Sequence, residues 1–279
     1  MDMASRPSSP DNSETADAAT PPRMPAVIRR EDYRPPAWLV PEVALDFTLG
    51  VNETRVRAEL VLRRNGEDRT VRLNGDGLTA LSAILDGAPC ESWRMDGADL
   101  LVDLPGDTHQ LVIETVLNPA ANSQLMGLYA SNGMLCTQCE AEGFRRITFF
   151  PDRPDVLSTY SVRISGDAKA FPVLLSNGNC VASGEGAEGT HWAQWHDPWP
   201  KPAYLFALVA GDLVCASDTF ETMSGRKVAC NIWVREGDEG RTRHALRSLI
   251  HAMKWDEEAF GREYDLDLYN VVAVSDFNM

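Results

Sequence analysis

A mainly β fold is predicted: an antiparallel β-sandwich followed by the truncated start of an α+β domain. Three observations predict it. Apolar and polar residues alternate in two long stretches, around residues 43–49 and 56–63, and a period of two marks a half-buried strand. Short apolar runs separated by Gly, Asn and Asp clusters then recur as far as residue 234, the pattern of many short antiparallel strands. Helical periodicity begins only after about residue 238.

The elements follow in order. Residues 1–37 are rich in Ser, Pro, Asp and Ala and poor in large apolar side chains. Such a segment cannot bury enough surface to offset its ordering entropy, so a disordered leader is expected, with Met24 as an alternative start. Val43, Leu45, Phe47 and Leu49 predict a first strand, and Val56, Ala58, Leu60 and Leu62 a second, with Arg55, Arg57, Glu59 and Arg63 on its other face. Asn65-Gly66 is a turn signal. Further strands are predicted at 70–73, 100–104, 111–117, 161–164, 173–175, 191–195, 204–209 and 228–234. Turn clusters such as Asn74-Gly75-Asp76-Gly77, Asp86-Gly87 and Ser176-Asn177-Gly178-Asn179 divide them. Ser183-Gly184-Glu185-Gly186 reads as a hairpin loop. Leu246, Leu249, Ile250 and Met253 then fall at helical spacing, Gly261 supplies a stop signal, and 266–274 reads as a strand. The expected domains are the leader 1–37, a β-sandwich 38–212, and an incomplete second domain 213–279. The apolar face of that second domain's helix is expected to be partly exposed.

The net charge of −15 argues against a nucleic-acid partner, which needs a basic patch, and against docking on anionic lipid. No apolar run reaches the roughly 20 residues of a membrane helix, and no membrane insertion is expected. The N-terminus lacks the layout of a secretory signal. Six cysteines in 279 residues suggest no disulfide framework and are read as free thiols of a cytoplasmic protein.

Candidate chemistry is sparse. Cys136-Thr137-Gln138-Cys139 could be half a zinc site or a redox pair, but no second ligand pair matches it and no βαβ context surrounds it. Two ordinary thiols are the better reading. No histidine pair has the i, i+4 spacing of a zinc helix. His191 and His196 are five apart on a predicted strand and face opposite sides, while His244 and His251 share an exposed helix face. No metal ligand and no catalytic residue is assigned. Gln138 and Glu140 are two apart. In an extended segment they project from one side, where an amide and a carboxylate could hold an ammonium group. The plainer reading is a pair of surface polar residues.

One run is specific. Leu135-Cys136-Thr137-Gln138-Cys139-Glu140-Ala141-Glu142-Gly143-Phe144-Arg145-Arg146-Ile147-Thr148, with Asp152-Arg153-Pro154-Asp155 behind it, resembles the bacterial branch of the aminopeptidase N family. So do Leu175-Ser176-Asn177-Gly178-Asn179, the run from Lys201 to Asp212, Met253-Lys254-Trp255-Asp256-Glu257-Glu258, and Phe277-Asn278-Met279. The resemblance covers about residues 32–279. It implies a saddle-shaped β domain leading into a thermolysin-like catalytic domain. It also implies a monomeric zinc metallo-aminopeptidase of the alanyl type, a gluzincin that removes single residues from peptides with a free N-terminus. Gln138 and Glu140 match positions lining the substrate pocket, where the glutamate binds the free α-amino group. Met279 matches a methionine that cushions the first side-chain pocket. The family's Gly-Ala-Met-Glu-Asn motif, His-Glu-x-x-His helix, third zinc ligand and transition-state tyrosine would follow residue 279. The expectation is therefore a fragment that binds no Zn2+ itself and is inactive alone. The alternative is a stand-alone, non-catalytic β-sandwich module that binds peptides or a protein partner. A third branch, the epoxide-hydrolysing aminopeptidases, carries glutamine where this chain has Glu140.

Overall fold

The computed structural model describes residues 29–277. The expectations for residues 1–28 and for Met279 lie outside the described residues. Arg30–Asp32 form a single 3-10 turn, and residues 35–277 belong to a second compact unit. Within that unit the chain is already tied down before the first strand. Asn65 Nδ2 donates to Pro36 O at 2.9 Å, and the Asn65 amide to Ala37 O at 2.7 Å.

In chain order the strands are β1 Trp38–Thr48, β2 Thr54–Arg64, β3 Thr70–Leu73, β4 Ala80–Leu85, β5 Ala88–Pro89, β6 Trp93–Asp96, β7 Asp99–Asp103, β8 Thr108–Leu117 and β9 Gly127–Ser131. They continue with β10 Met134–Gln138, β11 Leu157–Asp167, β12 Val173–Ser176, β13 Asn179–Glu185, β14 Thr190–Pro202, β15 Leu208–Gly211, β16 Val214–Glu221 and β17 Lys227–Val234. Helix α1 spans Arg243–Phe260, and β18 spans Leu268–Val272.

The largest sheet has the order β13-β14-β11-β1-β2-β8-β4-β5. Its inner face is the alternation read in the sequence: Val43, Leu45, Phe47, Val56, Ala58, Leu60 and Leu62 are all buried. Its outer face sets opposite charges in register, Asp46 lying opposite both Arg57 of β2 and Arg163 of β11, which favours this register. Pro41, which has no N–H for the ladder, sits where the β1–β2 register shifts between Leu39 and Glu42.

A four-stranded sheet, β12-β15-β10-β9, and a three-stranded sheet, β3-β7-β6, add to the same core. Its centre is aromatic. Phe144 meets Phe150, Tyr160 and Phe206 edge-on, with ring centroids 5.1–6.2 Å apart, a favoured arrangement of ring quadrupoles.

The last sheet, β16-β17-β18, has a cluster of its own: Phe220, Val228, Cys230 and Met253 of α1. Met253 is buried while Leu246, Leu249 and Ile250 are half-buried. Gly261 ends α1 at φ 63°, the left-handed conformation that glycine adopts without penalty.

Three local expectations are corrected. Ala203–Leu205 form a 3-10 turn, so the strand predicted from residue 204 starts at Leu208. Ser183, Gly184 and Glu185 belong to β13, and the hairpin turn falls at Ala187–Gly189, where Glu188 and Gly189 have positive φ. Finally, β9 and β10 were not predicted. Nine of their ten residues are buried, so they show no alternation to read.

Candidate functional site

The site residues depend on β10. It lies between β15 and β9 in the four-stranded sheet, and all five of its residues are buried. The tight turn joining β9 to β10 is Asn132-Gly133, both at positive φ, 47° and 86°. Asn-Gly is the strongest short hairpin signal a sequence carries. It would have located β10 without any alternation.

The strand ends at Gln138, and Glu140 lies in the turn beyond. The two side chains therefore do not share a face of one extended segment, as alternation suggested. The contact between the two residues runs from side chain to backbone: Gln138, 6% exposed, accepts the Glu140 amide proton on Oε1 at 3.1 Å. Glu140 itself is exposed. The Glu140–Ala141 peptide is cis.

Two glycines let this turn fold tightly under the strand end. Gly127 pairs with Gln138 across β9 and β10. A Cβ on Gly143 would stand 2.4 Å from Gln138 O and 3.1 Å from Gly127 N, distances only a hydrogen tolerates. The Gly143 amide donates to Cys139 O at 2.8 Å and closes the turn.

The far side of the turn is held by charge. The Arg145 amide and Nε both donate to Asp152 Oδ2 at 3.1 Å, and Nη2 donates to Asp152 O at 3.0 Å. Nη2 also pairs with Glu142 at 3.1 Å. The Asp152 side chain is 2% exposed. Burial pushes its carboxyl above the usual range, and the hydrogen bonds from Arg145 pull it back. Arg146 pairs with Asp76 and donates to Gln124 at 3.0 Å. The sequence reading assigned no role to Arg145 or Asp152, because the pair closes only when the turn forms.

A distant segment also reaches this sheet. Tyr129 Oη donates to Asp276 O, and Ser131 Oγ to Asp276 Oδ2, both at 2.7 Å. Residues 275–277 are thereby tied to β9, the neighbour of β10. A cavity of about 310 Å3 lies between the β12–β15 end of the four-stranded sheet and β18 and is lined by Leu175, Asp197, Tyr264 and Tyr269 among others.

Cys136 and Cys139 are free thiols, both buried. Burial pushes the pKa of each upward, most strongly for Cys139, the reverse of what a redox or metal-binding thiol needs. His244 and His251 are exposed. Among the described residues, no three His, Cys, Asp or Glu side chains gather closely enough to hold a metal ion. The described residues therefore do not fit a zinc site. No described helix is long and apolar enough to cross a membrane.

With this geometry in place, the likeness to known proteins can be stated. Residues 94–205 match the Peptidase M1 N-terminal domain. Aminopeptidase N of Caulobacter vibrioides is 53% identical over 257 residues, covering 91% of this chain and 30% of that protein. The crystal structure of Legionella pneumophila aminopeptidase A in complex with aspartic acid superposes with a TM-score of 0.84 at 30% identity, covering 88% of this chain and 30% of that one. An M1 zinc metallopeptidase from Deinococcus radiodurans, bound to a Tyr-Ser-Ala substrate, shares the fold with a TM-score of 0.70 at 18% identity, over 85% of this chain and 56% of that one. Fold and matches define the class: an M1 peptidase N-terminal domain. Within that class the chain belongs to the aminopeptidase N family, a family of metallo-aminopeptidases and hence of hydrolases. It spans about a third of the length of the Caulobacter and Legionella proteins.

Proposed function

We propose that this chain is the N-terminal part of a zinc-dependent aminopeptidase that hydrolyses single N-terminal residues from peptides. It acts as a monomer in the cytoplasm. The segment supplies the side of the pocket that binds the substrate α-amine, through Gln138 and Glu140, with Met279 against the first side chain. The zinc site belongs to a catalytic domain that starts near residue 213 and extends beyond this chain, so the 279 residues alone are inactive.

The observation that carries this reading is the Gln138–Glu140 contact. A buried amide on a fully packed strand fixes the backbone of an exposed carboxylate two residues on. A carboxylate held this way rewards an ammonium group. A charge-assisted hydrogen bond of that kind contributes roughly 1.5–3 kcal/mol. An internal peptide offers no such group, so an exopeptidase preference follows.

The test is Glu140→Gln in the full-length enzyme. The substitution keeps size and hydrogen bonding but removes the charge. kcat/KM for an alanyl anilide should fall by about ten- to a hundredfold. Unchanged kinetics would remove Glu140 from the site.

A further inference from the structure

We propose that Arg145 and Asp152 are positioning residues for Glu140, setting the turn from which its carboxylate meets the substrate amine. This rests on the reading of Glu140 given above.

Three contacts form a closed ring behind the turn. The Arg145 amide donates to Asp152 Oδ2 at 3.1 Å, the Asp152 amide to Asn74 Oδ1 at 3.2 Å, and the Asp76 amide to Arg145 O at 3.0 Å. Asn74 is itself locked to Phe150 by a reciprocal pair of backbone hydrogen bonds, at 2.8 and 3.1 Å. The ring thus joins the bend at 74–76, the turn at 140–146 and the segment at 150–152. Glu140 is gripped from both ends: Gln138 holds its amide from the strand side, and Arg145 holds the turn from the other.

Arginine is specifically suited to this task. Its Nε reaches the carboxylate while Nη2 reaches the main-chain oxygen of the same residue. A lysine ammonium is a single point and cannot span both acceptors in that fixed fork. Asp152 is equally constrained. Its side chain is almost fully buried, with Arg145 the cation in contact with it, so loss of the fork leaves a buried carboxylate unpaired. The turn then relaxes to resolvate it. Groups that hold a reacting constellation act through small displacements, so the effect on substrate should exceed the effect on the fold.

A double-mutant cycle in the full-length enzyme tests this, using alanyl anilide as substrate. Arg145→Lys should lower kcat/KM about tenfold, chiefly through KM, because the charged contact at Glu140 is weakened rather than lost. In a Glu140→Gln background the same change should cost less than about twofold, since no charged contact remains to be misplaced. Equal losses in both backgrounds would overturn the proposal and leave Arg145 a purely structural residue. If Glu140→Gln alone has no effect, the amine reading fails, and this inference with it. Should Arg145→Lys show no cooperative thermal unfolding, Asp152→Asn takes its place in the cycle under the same criteria.

Discussion

Gly143→Ala is the sharpest probe of the turn that carries Glu140. Gly143 has φ −87° and ψ −18°, a conformation that alanine adopts freely, so any cost must come from space. The added Cβ would lie 2.4 Å from Gln138 O, 2.9 Å from Cys139 Cα and 3.1 Å from Gly127 N. These are backbone atoms in and beside a buried sheet, and none can swing aside as a side-chain tip would. Overpacking of this kind costs about 1–3 kcal/mol. Relief by moving the turn would break the Gly143–Cys139 hydrogen bond, worth about 0.5–1.5 kcal/mol net. Lower chain entropy in the unfolded state returns about 0.4–1 kcal/mol. The balance is a loss of about 2 kcal/mol, or roughly 4–8 °C in Tm for a domain of this size. Thermal unfolding followed by circular dichroism measures the loss, and amide exchange at Gly143 and Glu140 should rise with it. Gly133→Ala serves as the contrast. It meets nothing within 4 Å, and its cost lies only in its positive φ. If Gly143→Ala melts within about 1 °C of the parent and Gly133→Ala melts lower, close backbone approach is the wrong account of this turn.

Two further outcomes are expected. Asp86 Oδ1 accepts the Gln110 amide at 2.8 Å, and Oδ2 pairs with His109 Nδ1 at 2.7 Å; these hydrogen bonds, the backbone one first, hold the carboxyl below its usual range. A depressed carboxyl stabilises the fold above its unfolded pKa and loses that contribution as pH falls through the folded value. The Tm gap between parent and Asp86→Asn should therefore be widest at neutral pH and close below about pH 4; a gap constant from pH 7 to pH 3 would refute the assignment. For the thiols, Cys180 and Cys215 are exposed, and the remaining four cysteines are buried. An aromatic disulfide reagent at pH 8 should modify two thiols in the native chain and all six only after denaturation, and rapid reaction of a third would contradict the burial of Cys90, Cys136, Cys139 and Cys230.

The strands that alternate were legible because one face of each meets water. Val43 to Leu49 and Val56 to Leu62 advertise their buried sides residue by residue. β10 could not advertise itself in this way, for Met134 to Gln138 are buried on both faces. Its local signal lay in Asn132-Gly133, at the turn rather than in the strand. The site shows the same division. Gln138 and Glu140 were found by spacing and resemblance, yet the stated reason, two residues on one face of an extended segment, is not how they meet. The strand stops at Gln138, and its side chain reaches forward to the next turn. Spacing singled out the two residues as candidates; the contact between them, from the Glu140 amide to the Gln138 side chain, belongs to the fold.

What spacing could not reach is the closure of the site by distant chain. Arg145 and Asp152 are seven residues apart with a buried aromatic pair between them, and Asp276 meets Ser131 across 145 residues. No periodicity links such partners. They are joined by topology, since β18 runs parallel to β17 and delivers the following residues to the edge of the four-stranded sheet at β9. That delivery has a physical consequence for the reading of the site. Residues 275–277 and the Glu140 turn are both fastened to the β9–β10 hairpin, one through Tyr129 and Ser131, the other through Gln138. A load on either fastening is therefore carried by the same two strands. Disturbing β9 at Ser131 should perturb the C-terminal segment and the Glu140 turn together, whereas disturbing the outer face of the large sheet at Asp46 or Arg57 should leave both in place.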